Sequence, residues 1–152
     1  MIIVTGCERS GTTFIAQQIA EKEHLPYVHE IYASKKAVIK HSLNLRQGIK
    51  HLELLDYLYP NARRIFVFRD GREVCRSLVQ KIWKRRPYTM SLEEAITQWN
   101  HVNKTCSNWA EEFIYYESYV NNPIITWSTF FTKEQINYMW RHLDLKKYGY
   151  IK

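Results

Sequence analysis

The chain is poor in the residues that break or crosslink a fold. Five Gly and four Pro occur in 152 residues, and neither repeats nor low-complexity segments are present. Such a sequence is typical of a single domain over residues 1–152, large enough to enclose a core. The cysteines Cys7, Cys75 and Cys106 have neither paired nor metal-ligand spacing, which argues against a disulfide framework and against a zinc site.

Long apolar runs are also lacking. No stretch is long enough to cross a bilayer, and Met1 leads directly into a short β-branched segment without a signal-peptide pattern. Together with the scattered cysteines, these features predict a cytoplasmic protein with no role in a membrane.

Acidic residues are outnumbered, with 15 Asp and Glu against 22 Lys and Arg, for a formal net charge of +7. The excess lies between Arg63 and Arg86, where nine Lys and Arg accompany only Asp70 and Glu73. A basic block of this kind attracts anions. For its tail, residues 84–86, a solvated helix face explains the charge equally well.

The start of the chain contains a phosphate-binding pattern. Residues 2–4 predict a buried strand, Gly6 and Gly11 bracket a turn, and a helix is predicted from about 11 to 23. Backbone amides in such a turn, with the positive end of the helix, bind anions. The Gly-x-x-x-x-Gly spacing is that of the nucleotide-triphosphate loop, but Thr12 replaces the expected lysine. Arg9, inside the turn, is the candidate for the missing cation, and a turn without a ligand is the structural alternative.

The rest of the chain alternates strands and helices. Further strands are predicted at 26–28, 37–39, 64–68 and 113–116, and further helices at 44–58, 71–84, 91–109 and 132–143. This order predicts a three-layer α/β fold of the P-loop type, with a parallel sheet of four to five strands flanked by helices. Ligands bind at the carboxyl ends of such strands. The residues expected at those ends are the turn 6–13, His29, Glu30, Lys40, Arg69 and Asp70.

Two segments resemble the signatures of the sulfotransferases that use 3′-phosphoadenosine 5′-phosphosulfate (PAPS). Residues 9–13, Arg-Ser-Gly-Thr-Thr, resemble the loop for the 5′-phosphosulfate, and residues 59–78 resemble the signature for the 3′-phosphate. In that second signature a strand-end Arg and a Ser eight positions later bind the phosphate, and Arg69 and Ser77 have this spacing. A guanidinium fork and a hydroxyl donor suit a phosphate dianion. Residues 37–42 and 116–123 resemble two further segments of the family less closely, and the matching segments follow one another in the same order as in the family.

The resemblance implies roles for the residues of the first loop. The amides of residues 9–13, including Gly11, and the hydroxyls of Ser10, Thr12 and Thr13 would bind the 5′-phosphosulfate. Phe14 matches a position that stacks on adenine in some members, while a core contact of the first helix is equally compatible with its place.

The resemblance also implies catalytic roles. Arg9 and Lys40 match cations that neutralise the leaving group. Glu30 follows Arg9 by twenty-one positions, the spacing of the carboxylate that activates the acceptor in the tyrosylprotein branch. Glu30 is therefore the predicted general base, with the adjacent His29 as second choice. Since neighbours alternate along a strand, only one of the two is expected to face the site.

The predicted activity is transfer of a sulfuryl group from PAPS to a hydroxyl or amine of a small-molecule, carbohydrate or peptide acceptor. A metal ion is not expected to be required, because the sulfuryl group carries less charge than a terminal phosphate. Acceptor specificity is expected to lie in the loops 31–36 and 85–91. The chain is shorter than most family members, so either the sheet edge is reduced or a second copy of the chain completes the pocket.

Other functions remain open. A P-loop kinase would use Asp70 for magnesium. This chain lacks the loop lysine of such a kinase, and a kinase has no purpose for the Arg69 and Ser77 pair. A nucleic-acid-binding module would use the basic block with Trp83 and Tyr88, but the chain has no recognised motif for it, so nucleic acid is not the expected partner. A relative that binds the nucleotide without turnover is the third alternative.

Overall fold

The computed structural model describes residues 1–30, 33, 36–46, 48–80, 90–121 and 123–152. The expectations for the acceptor loops 31–36 and 85–91, for the basic tail 84–86, and for Trp83 and Tyr88 fall wholly or largely outside these residues. Within the described ranges, no helix combines the length and apolar character needed to span a bilayer.

The described residues contain one sheet of five parallel strands. They are β1 (Ile2–Cys7), β2 (Tyr27–His29), β3 (Val38–Leu43), β4 (Arg63–Phe68) and β5 (Glu112–Tyr115), in the order β2-β3-β1-β4-β5. Strand β1 is central and wholly buried, as its apolar run predicts. The chain moves to one side of β1 for β3 and to the other for β4, and α/β sheets bind ligands at such a switch point.

Helices cover both faces of the sheet. They are α1 (Thr12–Lys22), α2 (Gly48–Leu58), α3 (Gly71–Val79), α4 (Leu92–Cys106), α5 (Tyr116–Tyr119), α6 (Trp127–Phe130) and α7 (Lys133–His142). Alternation along β1 places Val4 in a core with Ile15 of α1, and Ile3 in a second core with Leu52 of α2 and Trp99 of α4. The predicted three-layer α/β fold is confirmed.

Strand β3 continues to Leu43, beyond its predicted end at Lys40. Lys40 therefore lies inside the strand, opposite Val4 of β1 and His29 of β2, and not at a strand end. Leu43 at the end of the strand is buried in the core, and the polar residues before it each have a polar partner. The contacts are Lys40 with Glu30, His41 with His51, and Ser42 with Thr12. These contacts allow a buried strand to contain such residues.

Two helices differ from their predicted bounds by four residues or more. Helix α2 begins at Gly48 and not at residue 44, because Asn44 Oδ1 accepts a hydrogen bond from the Arg46 amide at 2.9 Å and forms a turn. Of its predicted apolar stripe, Leu52 and Leu55 are buried, whereas Leu45, Ile49 and Leu58 are exposed. Helix α3 ends at Val79, before the predicted end near 84, with residues 81–89 outside the described part. The capping box predicted at Ser91 is present.

Candidate functional site

Two glycines shape the turn between β1 and α1. A Cβ on Gly6 would lie 2.6 Å from the Val67 carbonyl oxygen of β4, so only glycine fits there. Gly11 is the N-cap of α1 with a φ of 81°, and its Cβ would lie 2.4 Å from the Tyr116 ring. Arg9 also has a positive φ, 73°. A non-glycine residue in this region is strained, and such strain is concentrated at ligand-binding sites.

A cleft of about 610 Å³ opens over this turn, at the carboxyl-end edge of the sheet. Residues of the turn and α1 face residues of β2, β3 and the end of β4 across it. The lining residues are Glu8, Arg9, Gly11, Thr12, Thr13, Phe14, Gln17, His29, Glu30, Lys40, Ser42, Asn44 and Arg69. Every residue to which the sulfotransferase resemblance gives a binding or catalytic role lines this cleft except Ser10 and Ser77.

Arg69 and Ser77 both contact the turn between β1 and α1 (residues 8–11), called the phosphate-loop turn below. The Arg69 Nη1 donates to the Arg9 carbonyl oxygen at 3.1 Å. The Arg9 Nε donates to the Ser77 hydroxyl at 2.7 Å. The strand-end arginine and the helix hydroxyl, eight positions apart in sequence, thus meet at one residue of the turn, and the two arginines line the cleft.

Of the residues that follow Arg9, Ser10 is buried below the cleft surface, whereas Thr12, Thr13 and Phe14 line the cleft. Ser10 is fully buried, and its hydroxyl has no hydrogen-bond partner among the described residues. This position corrects the prediction that the Ser10 hydroxyl faces a ligand. The Thr12 hydroxyl lies 3.3 Å from that of Ser42, and Thr12 and Thr13 line the cleft. Phe14 is 42% exposed, so the alternative of a core contact is wrong and its ring is available to a ligand.

Lys40 and Glu30 form an ion pair on the cleft wall. The Lys40 Nζ donates to Glu30 Oε1 at 2.6 Å, and the Ser42 amide donates to the same oxygen at 3.4 Å. Burial by itself would raise the pKa of Glu30, but the hydrogen bond and charge of Lys40, with the Ser42 amide, lower that pKa below its ordinary value. Glu30 is therefore ionised at neutral pH, and the buried Lys40 has a counter-charge.

His29 and Glu30 both line the cleft, which corrects the prediction that only one of them faces the site. Strand β2 ends at His29, and Glu30 has a positive φ of 51°, so the alternation of a strand no longer applies. The His29 Nδ1 lies 2.8 Å from the Tyr27 hydroxyl. That contact holds the imidazole in place beside the carboxylate.

Tyr116 is a site residue that the sequence pattern does not reveal. Its ring covers Gly11, meets the Phe14 ring edge-on with centroids 6.2 Å apart, and lies 4.6 Å below the Arg69 guanidinium carbon. The one signal in the sequence is the loose resemblance of residues 116–123 to a family segment. That resemblance says nothing of where the ring lies, because the position depends on how β5 and α5 pack beside the turn.

Asp70 is engaged outside the cleft. Its Oδ1 accepts from the Arg72 amide and from Arg72 Nε at 2.9 Å each, and its Oδ2 accepts from Arg72 Nη2 at 2.6 Å. Asp70 is thus the N-cap of α3 and the ion-pair partner of Arg72. In the part of the chain that the structure describes, no group of three or more His, Cys, Asp or Glu side chains is placed to hold a metal ion.

Comparison with known proteins relates this architecture to solved kinases. The shikimate kinase from Bacteroides thetaiotaomicron is 13% identical, with a TM-score of 0.55 over 75% of this chain and 85% of that chain. A gluconokinase from Sinorhizobium meliloti 1021 is also 13% identical, with a TM-score of 0.49 over 97% of this chain and 95% of that chain. The likeness to the shikimate kinase supports the α/β fold described above. No protein-family model matches the chain, and no curated protein matches its sequence.

Proposed function

We propose that the protein is a nucleotide-dependent transferase that takes a sulfuryl group from PAPS. The observation that carries this proposal is the meeting of Arg69, Ser77 and Arg9 beside the phosphate-loop turn. A donor with an anionic group on its 5′ side and a phosphate on its 3′ side needs hydrogen-bond donors for both groups. The guanidinium groups of Arg69 and Arg9, joined to the Ser77 hydroxyl beside the turn, suit the 3′-phosphate.

The residues of the turn would hold the 5′ end of the donor. The α1 N-terminus and the amides of the turn supply hydrogen-bond donors and a positive partial charge. Thr12 and Thr13 add hydroxyls, and Phe14 offers an exposed ring for the base. PAPS supplies an activated sulfuryl group, whose leaving group is a diphosphorylated nucleoside. Arg9 and Lys40 would neutralise the charge that develops on that side.

Glu30 is the proposed general base, with His29 as the alternative. The Glu30 carboxylate is ionised and lines the cleft, so it can accept a proton from an acceptor hydroxyl or amine. Its pKa is lowered by Lys40, which makes it a weaker base than a free carboxylate. His29 lies beside it with one ring nitrogen engaged by Tyr27. The acceptor would be a small molecule, a carbohydrate or a peptide side chain.

The second candidate is a P-loop kinase, and the structural likeness to shikimate kinase favours it. A kinase of this class places a loop lysine on the nucleotide phosphates and a carboxylate on magnesium. In this chain Thr12 occupies the lysine position, and Asp70 is bound on both oxygens by Arg72. The site residues thus favour sulfuryl transfer, whereas the comparison of folds favours phosphoryl transfer.

Parallel transfer assays separate the two candidates. The protein is incubated with sulfur-labelled PAPS, or with ATP labelled at its γ-phosphate and Mg²⁺, against one panel of sugars, phenols, amines and tyrosine peptides. The proposal expects label from PAPS alone to appear in an acceptor. Transfer from ATP and none from PAPS supports the kinase. No transfer from either, with binding of 3′,5′-diphosphoadenosine, supports a relative without turnover.

A further inference from the structure

Tyr116 joins two parts of the site that are distant in sequence. Its ring fills the space beside Gly11, where a Cβ would come within 2.4 Å of it, and so packs directly on the phosphate-loop turn. The Arg69 guanidinium carbon lies 4.6 Å from the centroid of the same ring. This is within the range of a cation–π interaction, in which the face of the ring attracts the cation.

Side chains from α4 and α5 hydrogen-bond to the backbone of Arg69 and Asp70. Glu117, the next residue of α5, accepts a hydrogen bond from the Asp70 amide at 2.7 Å. The Trp99 Nε1 donates to the Arg69 carbonyl oxygen at 3.0 Å. The backbone is therefore fixed by α4 and α5, while the side chain contacts the ring of Tyr116 and the Arg9 carbonyl.

We propose that Tyr116 is a positioning residue that holds the Arg69 guanidinium toward the phosphate-loop turn, and that selectivity for a nucleotide with a 3′-phosphate depends on its ring. This inference rests on the proposed function, because it assumes that Arg69 binds that phosphate. An arginine side chain has many rotamers, and a flat aromatic surface restricts them before the ligand arrives. Less conformational entropy is then lost on binding.

The test compares the affinities of 3′,5′-diphosphoadenosine and 5′-AMP, which lacks the 3′-phosphate, by calorimetric titration. In Tyr116→Leu the ratio of the two affinities should fall roughly fivefold to thirtyfold, as loss of a partly desolvated cation–π contact predicts. Tyr116→Phe keeps the ring and should keep the ratio. Tyr119→Leu, at an exposed tyrosine of the same short helix, is the matched control and should leave both affinities unchanged.

A second series guards against misfolding of the leucine variant. Phenylalanine with increasing fluorination at position 116 keeps the shape of the ring and weakens its attraction for a cation. The affinity for 3′,5′-diphosphoadenosine should fall stepwise along the series while the affinity for 5′-AMP stays constant. An equal fall for both ligands, or no change in either, overturns the inference and leaves the proposed function standing. If the wild type itself does not prefer the 3′-phosphorylated ligand, the proposed function fails and the inference fails with it.

Discussion

At the scale of single residues, recognition of a phosphate depends on where a few guanidinium groups are held. Arg69 lies at the end of β4, and its side chain is fixed between a tyrosine ring and a carbonyl of the phosphate-loop turn. Arg9 extends from that turn to Ser77 on α3. Each of these contacts joins segments that are more than forty residues apart in sequence, so the site is assembled by the fold and not by one local motif.

Arg69→Ala should weaken binding of 3′,5′-diphosphoadenosine by more than about tenfold, because charge-assisted hydrogen bonds to a phosphate are lost. Binding is measured by calorimetric titration. Arg141→Ala removes the same charge from an exposed position on α7 and is the matched control, expected to bind as the wild type does. Equal affinities of the wild type and Arg69→Ala for 3′,5′-diphosphoadenosine would show that Arg69 does not bind the phosphate.

Glu30→Gln should lower turnover of the sulfuryl-transfer reaction by roughly 10²-fold to 10⁴-fold, the usual contribution of a general base, while the nucleotide affinity stays near that of the wild type. The rate is measured at saturating donor, and a thermal melt reports any loss of folding, since Lys40 would lack its counter-charge. His29→Gln is the comparison. A fully active Glu30→Gln with an inactive His29→Gln would assign the base to His29.

At the scale of elements, the unit of β1, the following turn and α1 is the part of the fold that the sequence predicts best. The apolar run and the two glycines have local causes, namely burial on both faces and the space and φ that only glycine permits. The extension of β3 through Lys40 and Ser42 could not be predicted in this way. Its polar side chains are tolerated because their partners come from the residue after β2, from α1 and from α2, and a sequence read locally does not show those partners.

The same limit applies to the candidate site. Arg69 and Ser77 could be proposed from their spacing, and the structure brings both to Arg9. The burial of Ser10 and the position of the Tyr116 ring could not be predicted from the sequence, because each depends on tertiary packing around the turn. The same is true of Glu30, whose positive φ turns it toward the cleft together with His29.

Gly11→Ala should destabilise the fold more than Gly149→Ala does. Both glycines have a left-handed φ, 81° and 77°, so both variants are expected to lose about 1–2 kcal/mol for the backbone alone. A Cβ at Gly149 meets nothing within 4 Å, whereas one at Gly11 would lie 2.4 Å from the Tyr116 ring, which adds about 1–3 kcal/mol of overpacking. Urea denaturation gives both free energies of unfolding. Equal losses in the two variants would mean that the ring is not held against the turn.

At the scale of the whole molecule, stability should depend on pH through a histidine between the sheet and α2. His41 is 4% exposed, with its Nδ1 2.8 Å from His51 Nε2. Burial, with the charge of His51, lowers the pKa of His41 to about 4 from an ordinary value of 6.5. The unfolded chain therefore takes up a proton near pH 6.5 that the folded chain resists down to about pH 4, so stability is lost as the pH falls through this window.

Chemical denaturation at pH 7 and pH 4 tests this dependence. The free energy of unfolding should fall by up to about 3 kcal/mol more in the wild type than in His41→Gln. His101→Gln, at an exposed histidine of α4, should behave as the wild type does. If His41→Gln and the wild type lose the same stability, His41 is not buried in its neutral form.

In the proposed function, one cleft binds a nucleotide with anionic groups on both its 5′ and 3′ sides. Calorimetric titration of the wild type with 3′,5′-diphosphoadenosine and with ADP, each with and without Mg²⁺, tests it most directly. The 3′,5′-diphosphoadenosine should bind at least about tenfold more tightly than ADP, and Mg²⁺ should make no difference. Tighter binding of ADP that requires Mg²⁺ would contradict it.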